Sequence, residues 1–156
     1  MPGEFHRHIQ ETMSESPTPL SVLYVDDDPM ALTLTQLQLL RQGIHTETTS
    51  DALEAVGILT TQKLDLILLD SVMPTIDGVE FLQLIRSLNL KHPVVFFTGH
   101  GTEELRAMTR EFDVLDLLDK QADRLKLPER LRELYAIHVA GGVNPLDSLD
   151  APRAAS

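Results

Sequence analysis

The sequence predicts a doubly wound α/β domain, in which helices cover both faces of a parallel β-sheet. Five short apolar or β-branched runs alternate along the chain with five segments that carry helix signals. Strands that alternate with helices of about 10–15 residues are typical of parallel sheets. The length, 156 residues, suits one domain, and the absence of cysteine excludes a disulfide framework. We therefore expect an ordinary hydrophobic core rather than a cross-linked fold.

The first two strand–helix units are marked by residues with a defined local role. Ser21–Val25 is apolar and β-branched, which favours a strand, and Asp28 precedes a proline, which predicts a helix start. We expect that helix to end at Gly43, since glycine commonly terminates helices. Ile44–Thr48 alternates like a strand, and Asp51–Thr61 opens with the spacing of a capping box and predicts the second helix.

The remaining three units begin with a run that is apolar almost throughout. Leu64–Leu69 is interrupted only by Asp65, which favours a strand buried on both faces. The last helix has a proline only in its first turn, where proline is tolerated. The later predicted elements are helix Val79–Leu88, strand Pro93–Phe97, helix Thr102–Arg110, strand Val114–Leu118 and helix Leu127–His138.

The chain is strongly acidic, with 13 Lys and Arg against 24 Asp and Glu and a formal net charge of −11. This charge argues against nucleic-acid partners and anionic membrane surfaces, because both are bound mainly by basic side chains. Residues 1–19 and 141–156 lack periodicity, so we expect flexible tails around a domain at 20–140. Residues 1–19 hold no apolar stretch typical of a secretory signal, and no apolar run reaches the ~18–20 residues that span a bilayer. We therefore expect a cytoplasmic protein without membrane association.

Polar or charged residues follow four of the five predicted strands. Asp26 and Asp27 follow the first strand and Asp70 the third; Thr98 and Lys120 follow the fourth and fifth. The carboxyl ends of parallel strands meet at one edge of the sheet, so we expect these side chains to lie together. Two carboxylates ~4 Å apart repel by roughly 4 kcal/mol at an effective dielectric of ~20. A hard divalent cation such as Mg²⁺ would offset this repulsion, whereas Zn²⁺ fits poorly without Cys or a neighbouring His.

These groups together suit phosphoryl transfer to an aspartate. The carboxylate would be the nucleophile and an aspartyl phosphate the covalent product. The cation and Lys120 would neutralise charge on the phosphoryl group, and Thr98 would donate a hydrogen bond to a phosphoryl oxygen. The strand ends therefore predict a Mg²⁺-assisted phosphoacceptor site.

The sequence resembles the receiver domain of two-component response regulators over about residues 20–138. The segments that carry the resemblance are Val25–Pro29, Leu69–Pro74 with Asp77–Gly78, Phe97–Gly101, and Lys120. The resemblance implies a flavodoxin-like (βα)5 fold with sheet order 2-1-3-4-5. It implies that Asp70 is the phosphoacceptor and that Thr98 and Lys120 are the switch hydroxyl and the phosphate-binding lysine. The implied ligands of Mg²⁺, or of Mn²⁺ as an alternative, are Asp26, Asp27, Asp70 and the backbone carbonyl of Val72, with one of the acidic pair acting through water.

The sequence departs from the family pattern on the side that transmits the signal. The aromatic residue usually found three positions before the lysine is Leu117, and the proline that usually follows the lysine is Gln121. The usual Gly-Ala before the fifth strand is Phe112–Asp113. We therefore expect altered or weak switching. Val72 cannot position an attacking water through its side chain, so we also expect a long-lived phosphoryl group. His100 either positions such a water instead or lies on the surface.

The resemblance implies a signalling protein rather than an enzyme. Residues 141–156 are a short segment punctuated by Gly and Pro, which cannot form an output module. If the chain is complete, we expect a single-domain regulator that receives its phosphoryl group from a histidine kinase or a histidine phosphotransfer protein. It would then bind a protein target through the face of helix 4, strand 5 and helix 5, dimerise on phosphorylation, or pass the phosphoryl group onward. A pseudo-receiver that binds partners without phosphorylation is the alternative. A Mg²⁺-dependent phosphatase is disfavoured, because Val72 stands where such enzymes place a second aspartate.

Overall fold

Strands and helices alternate along the chain in the computed structural model, which describes residues 19–141. The predicted tails, 1–19 and 141–156, lie almost entirely outside the described residues. The strands are β1 (Leu20–Val25), β2 (Ile44–Thr49), β3 (Leu66–Leu69), β4 (Val94–Thr98) and β5 (Asp116–Asp119). The helices are α1 (Pro29–Arg41), α2 (Ala52–Thr61), α3 (Gly78–Ser87), α4 (Glu103–Glu111) and α5 (Leu127–Val139).

The five strands form one parallel sheet in the order β2-β1-β3-β4-β5, which confirms the predicted fold class and strand order. The register aligns the carboxyl ends of the strands: Val25 pairs with Leu69, and Leu69 pairs with Phe96. At the edge of the sheet, Thr98 pairs with Asp119. The residues that follow these positions therefore meet at one edge of the sheet.

Both faces of the sheet are buried, which explains why the β3 run is apolar throughout. Alternate residues of a strand point to opposite faces, so each strand contributes to two separate cores. Leu23 and Ile67 pack with α2, α3 and α4 on one face, whereas Tyr24 and Leu68 pack with α1 and α5 on the other. No helix among residues 19–141 is long and apolar enough to cross a membrane.

Aspartate side chains cap three helices, and two of these caps were predicted. Asp28 accepts a hydrogen bond from the backbone of Met30, as its position before proline suggests. Asp51 also caps its helix, but Glu54 bonds the Thr49 hydroxyl instead of completing the box. The reciprocal capping box occurs at the start of α3 instead, where the cap is Asp77 and its partner is Glu80.

Two strands begin two residues later than the apolar pattern predicts. β3 begins at Leu66 rather than Leu64, and β5 begins at Asp116 rather than Val114. Just before β3, Asp65 makes two hydrogen bonds to Ser21: its N–H donates to the Ser21 carbonyl at 2.8 Å, and its carboxylate accepts the Ser21 N–H at 2.9 Å. Where β1 and β3 begin to pair, the Asp65 carboxylate thus takes the place of a backbone carbonyl as the acceptor for Ser21.

Candidate functional site

Backbone hydrogen bonds between neighbouring strands carry the polar residues to one edge of the sheet. The N–H of Asp26 donates to the carbonyl of Thr49 at 3.2 Å, and that of Asp70 donates to Val25 at 2.9 Å. The N–H of Lys120 donates to the carbonyl of Thr98 at 3.0 Å. The structure thus brings together all five side chains that the strand ends indicated.

Three carboxylates form the acidic part of the site. One oxygen each of Asp26, Asp27 and Asp70 lies within 4.8 Å of the others. Asp26 is fully buried and Asp70 is 4% exposed, whereas Asp27 is exposed and opens the cluster to solvent. Burial and the negative charge of Asp26 raise the pKa of Asp70 from 3.8 to about 6, although Lys120 acts in the opposite direction.

The Lys120 ammonium lies inside this cluster. Its Nζ is 2.5 Å from Oδ2 of Asp26 and 3.6 Å from Oδ1 of Asp70. The Lys120 side chain is 20% exposed. Lys120 therefore neutralises part of the cluster and stands beside the predicted phosphoacceptor.

Tyr24 is a site residue that the sequence reasoning missed. Its phenol donates a hydrogen bond of 2.5 Å to Oδ2 of Asp26, and the side chain is fully buried. Burial and the neighbouring Asp26 carboxylate raise the pKa of Tyr24, so it remains a donor. The available signal was spacing, because residues two apart on a strand point to the same face.

Ser71 is the second residue that was missed, and it touches the predicted switch hydroxyl. Its Oγ lies 2.7 Å from Oγ1 of Thr98, and both residues are buried. The backbone N–H of His100 also donates to Oγ1 of Thr98, at 3.0 Å. A serine after a strand is usually a turn former, so no pattern in the sequence singled it out.

Gly78 is required by a close approach between α3 and the site. A Cβ at this position would lie 2.4 Å from the carbonyl oxygen of Asp70 and 2.7 Å from the Phe96 ring. The N–H of Gly78 donates to the carbonyl of Ser71 at 3.0 Å. The first residue of α3 thus holds the backbone on which Asp70 and Ser71 stand.

The donor set fits a hard divalent cation. Carboxylate oxygens from three aspartates converge, and Mg²⁺ prefers oxygen ligands. Backbone N–H groups of Ser71 and Val72 face the Asp70 carboxylate and favour its charged form. Val72, whose carbonyl the family resemblance assigns to the metal, is half exposed beside this cluster.

Leu117, one of the departures from the family pattern, lies beside Thr98. Leu117 is half-buried, and a Cβ at Gly101 would lie 3.2 Å from its Cδ2. The two residues line a groove between α4 and β5 together with Thr98. Residues 19–141 contain no cis peptide bond, and Asp113 takes a left-handed conformation with φ of 59°.

The fold and the site define a flavodoxin-like α/β domain with a cluster of three aspartates at the carboxyl edge of its sheet. Comparisons with known proteins agree. The family model for the response regulator receiver domain matches residues 22–132. The chain therefore belongs to the response regulator receiver domain family.

Individual relatives carry this domain as part of longer proteins. The chain is 31% identical over 113 residues to the alkaline phosphatase synthesis transcriptional regulatory protein PhoP of Bacillus subtilis, which covers 72% of this chain and 47% of that protein. It is 32% identical over 130 residues to the sensor histidine kinase RcsC of Salmonella typhi, covering 79% of this chain and 14% of that protein. The chain spans about half or less of the length of these two curated relatives.

A solved structure is similar over the receiver domain itself. The receiver domain of the Francisella response regulator 1452 superimposes with a TM-score of 0.68 at 27% sequence identity. The match covers 78% of this chain and 98% of that one.

Proposed function

We propose that this protein accepts a phosphoryl group on Asp70 from a phosphohistidine donor, in a reaction that depends on Mg²⁺. One observation carries the proposal: a carboxylate that must bear negative charge to react lies within reach of a cation site and of the Lys120 ammonium. The donor would be a histidine kinase or a histidine phosphotransfer protein. Membership of the receiver family supports this assignment.

The chemistry requires little of the protein beyond placement and charge. An ionised oxygen of Asp70 attacks phosphorus, the phosphorus–nitrogen bond breaks, and the imidazole leaves and takes its proton from solvent. Lys120 leaves Asp26 and contacts a phosphoryl oxygen, and the Thr98 hydroxyl donates to another. Bound Mg²⁺ would be held by the three aspartates and the carbonyl of Val72. Its positive charge would offset the negative charge of the incoming phosphoryl group.

The donor needs a surface beside the site, and α1 offers one. Four apolar side chains of this helix are about half exposed or more, and Leu125 of the β5–α5 loop is 89% exposed. Nε2 of Gln38 donates to the carbonyl of Arg124 at 2.5 Å, which joins the loop to the helix. We assign donor docking to this surface, whose α1 residues are Met30, Leu34, Leu37 and Leu40.

The target would bind at the face of α4, β5 and α5. β5 is an edge strand of the sheet, and α4 carries the exposed acids Glu103 and Glu104. Two other outcomes of phosphorylation are dimerisation through this face and onward transfer of the phosphoryl group.

The protein acts as a signalling phosphoacceptor and not as an enzyme. Its single-domain character and cytoplasmic location stay predictions.

A pseudo-receiver is the second candidate, and the observation in its favour is Leu117 on the groove beside Thr98, where the family carries an aromatic ring. Incubation with a small phosphodonor such as phosphoramidate and Mg²⁺, followed by intact mass measurement, separates the two. We expect the mass of the wild type to rise by one phosphoryl group. The rise should be absent in Asp70→Asn and present in Asp28→Asn, which changes an exposed carboxylate near the site. Absence of any gain in the wild type would favour the pseudo-receiver.

A further inference from the structure

We propose that Ser71 is a positioning residue that aims the Thr98 hydroxyl proton at the phosphoryl group. The proposal rests on the proposed function, because it concerns a hydrogen bond made to phosphorylated Asp70. Ser71 acts only through Thr98, so the two hydroxyls form a two-member relay. The relay begins on the residue that directly follows the phosphoacceptor.

The geometry places the two hydroxyls in a closed environment. Oγ of Ser71 and Oγ1 of Thr98 are 2.7 Å apart, a normal distance for a hydrogen bond between hydroxyls. Ser71 is 8% exposed and Thr98 is 1% exposed. Water therefore competes little for either group, and the direction of each hydroxyl proton is set by protein partners.

In the unphosphorylated protein either hydroxyl of the pair can be the donor. A phosphoryl oxygen only accepts, so phosphorylation of Asp70 would set the direction. A threonine hydroxyl has one proton to donate and two lone pairs that accept. The N–H of His100 occupies one lone pair of Thr98 Oγ1. When Ser71 donates to the other, both lone pairs are filled. The proton of Thr98 then has only the phosphoryl oxygen to bond.

The position of Ser71 in the chain holds the Ser71–Thr98 pair close to the phosphoacceptor Asp70. Its N–H donates to Oδ1 of Asp70 at 2.9 Å, and its carbonyl accepts from Gly78 at 3.0 Å. Backbone and side chain of the same residue thus contact both the phosphoacceptor and Thr98. Leu117, which lines a groove with Thr98, is apolar and offers the hydroxyl no hydrogen bond. Ser71 therefore orients the Thr98 hydroxyl, which Leu117 cannot do.

The test is a double-mutant cycle on the rate of Asp70 phosphorylation by phosphoramidate and on the affinity for beryllofluoride, a phosphoryl mimic. Ser71→Ala should lower both by roughly three- to tenfold, the range expected for one neutral hydrogen bond. In a Thr98→Val background the same change should have no further effect, because the relay has lost its second member. Ser87→Ala removes an exposed hydroxyl at the far end of α3 and should leave both values unchanged.

The outcomes separate this inference from the proposed function. Equal rates and affinities for the wild type and Ser71→Ala would overturn the relay and leave phosphorylation standing. An equal loss in the wild-type and Thr98→Val backgrounds would also overturn it, since Ser71 would then act by another route. Failure of the wild type to accept the phosphoryl group would overturn both. Circular dichroism of each variant confirms that the losses come from folded protein.

Discussion

Replacing Asp70 by Asn should stabilise the metal-free protein at neutral pH. The buried Asp70 carboxylate lies beside the charged Asp26, and this environment raises the pKa of Asp70 from 3.8 to about 6. Above pH 6 the Asp70 carboxylate is therefore ionised in the folded protein, which lowers the free energy of unfolding. Asn keeps the shape of the side chain without its charge.

The magnitude follows from the two pKa values. One pH unit corresponds to 1.36 kcal/mol, so the interval from 3.8 to about 6 corresponds to at most about 3 kcal/mol. Between these pH values the folded state holds more protons than the unfolded state, so this contribution to stability falls as pH rises. The advantage of Asn is then near zero below pH 4 and fully present above pH 6. For a domain of this size it amounts to roughly 10 °C in Tm.

Urea denaturation of the wild type and Asp70→Asn in EDTA, at pH values on both sides of this window, checks the prediction. Asp28→Asn serves as the matched control and should change stability by less than about 0.5 kcal/mol, because Asn caps helices as well as Asp. Added Mg²⁺ should narrow the gap by stabilising the wild type. An Asp70→Asn variant that is no more stable than the wild type at pH 7.5 in EDTA would refute the reasoning.

Three further changes probe the same edge of the sheet. Gly78→Ala should cost about 2–3 kcal/mol in urea denaturation, because the new Cβ meets the Asp70 carbonyl; unchanged stability would contradict the close approach. Tyr24→Phe should cost about 1–3 kcal/mol in the same assay, because Asp26 loses a buried donor; a more stable variant would contradict that role. Val72→Asn should shorten the lifetime of the phosphoryl group, followed by loss of mass after removal of the donor; an unchanged lifetime would show that this side chain does not limit hydrolysis.

The alternation of strands and helices and the residues at the strand ends were predictable from the sequence. Apolar runs of strand length fix which segments enter the sheet, and parallel strands must end at a common edge. The sequence therefore predicts that Asp26 and Asp70 lie close together. Strand starts were less predictable, because the side chain of Asp65 replaces a backbone acceptor at β3.

What the sequence could not show depends on side-chain direction. The many leucines of α1 predict a helix but not which of its faces is buried, and the structure leaves Leu34 and Leu37 about half exposed. The contact between Ser71 and Thr98 joins residues 27 positions apart, and nothing local to either residue signals it. The contact follows from the pairing of β3 with β4, because Ser71 and Thr98 each lie two residues beyond the pair Leu69 and Phe96.

The placement of Lys120 gives the metal-free protein its own counter-ion. The ammonium sits on the carboxylates that would hold Mg²⁺, at 2.5 Å from Asp26. A Mg²⁺ ion that enters this cluster would therefore compete with a tethered cation for Asp26, and its binding free energy would be smaller than three unpaired carboxylates would provide. Displacement from Asp26 would free the ammonium to contact a phosphoryl oxygen. Entry of the metal would then favour the arrangement that accepts the phosphoryl group.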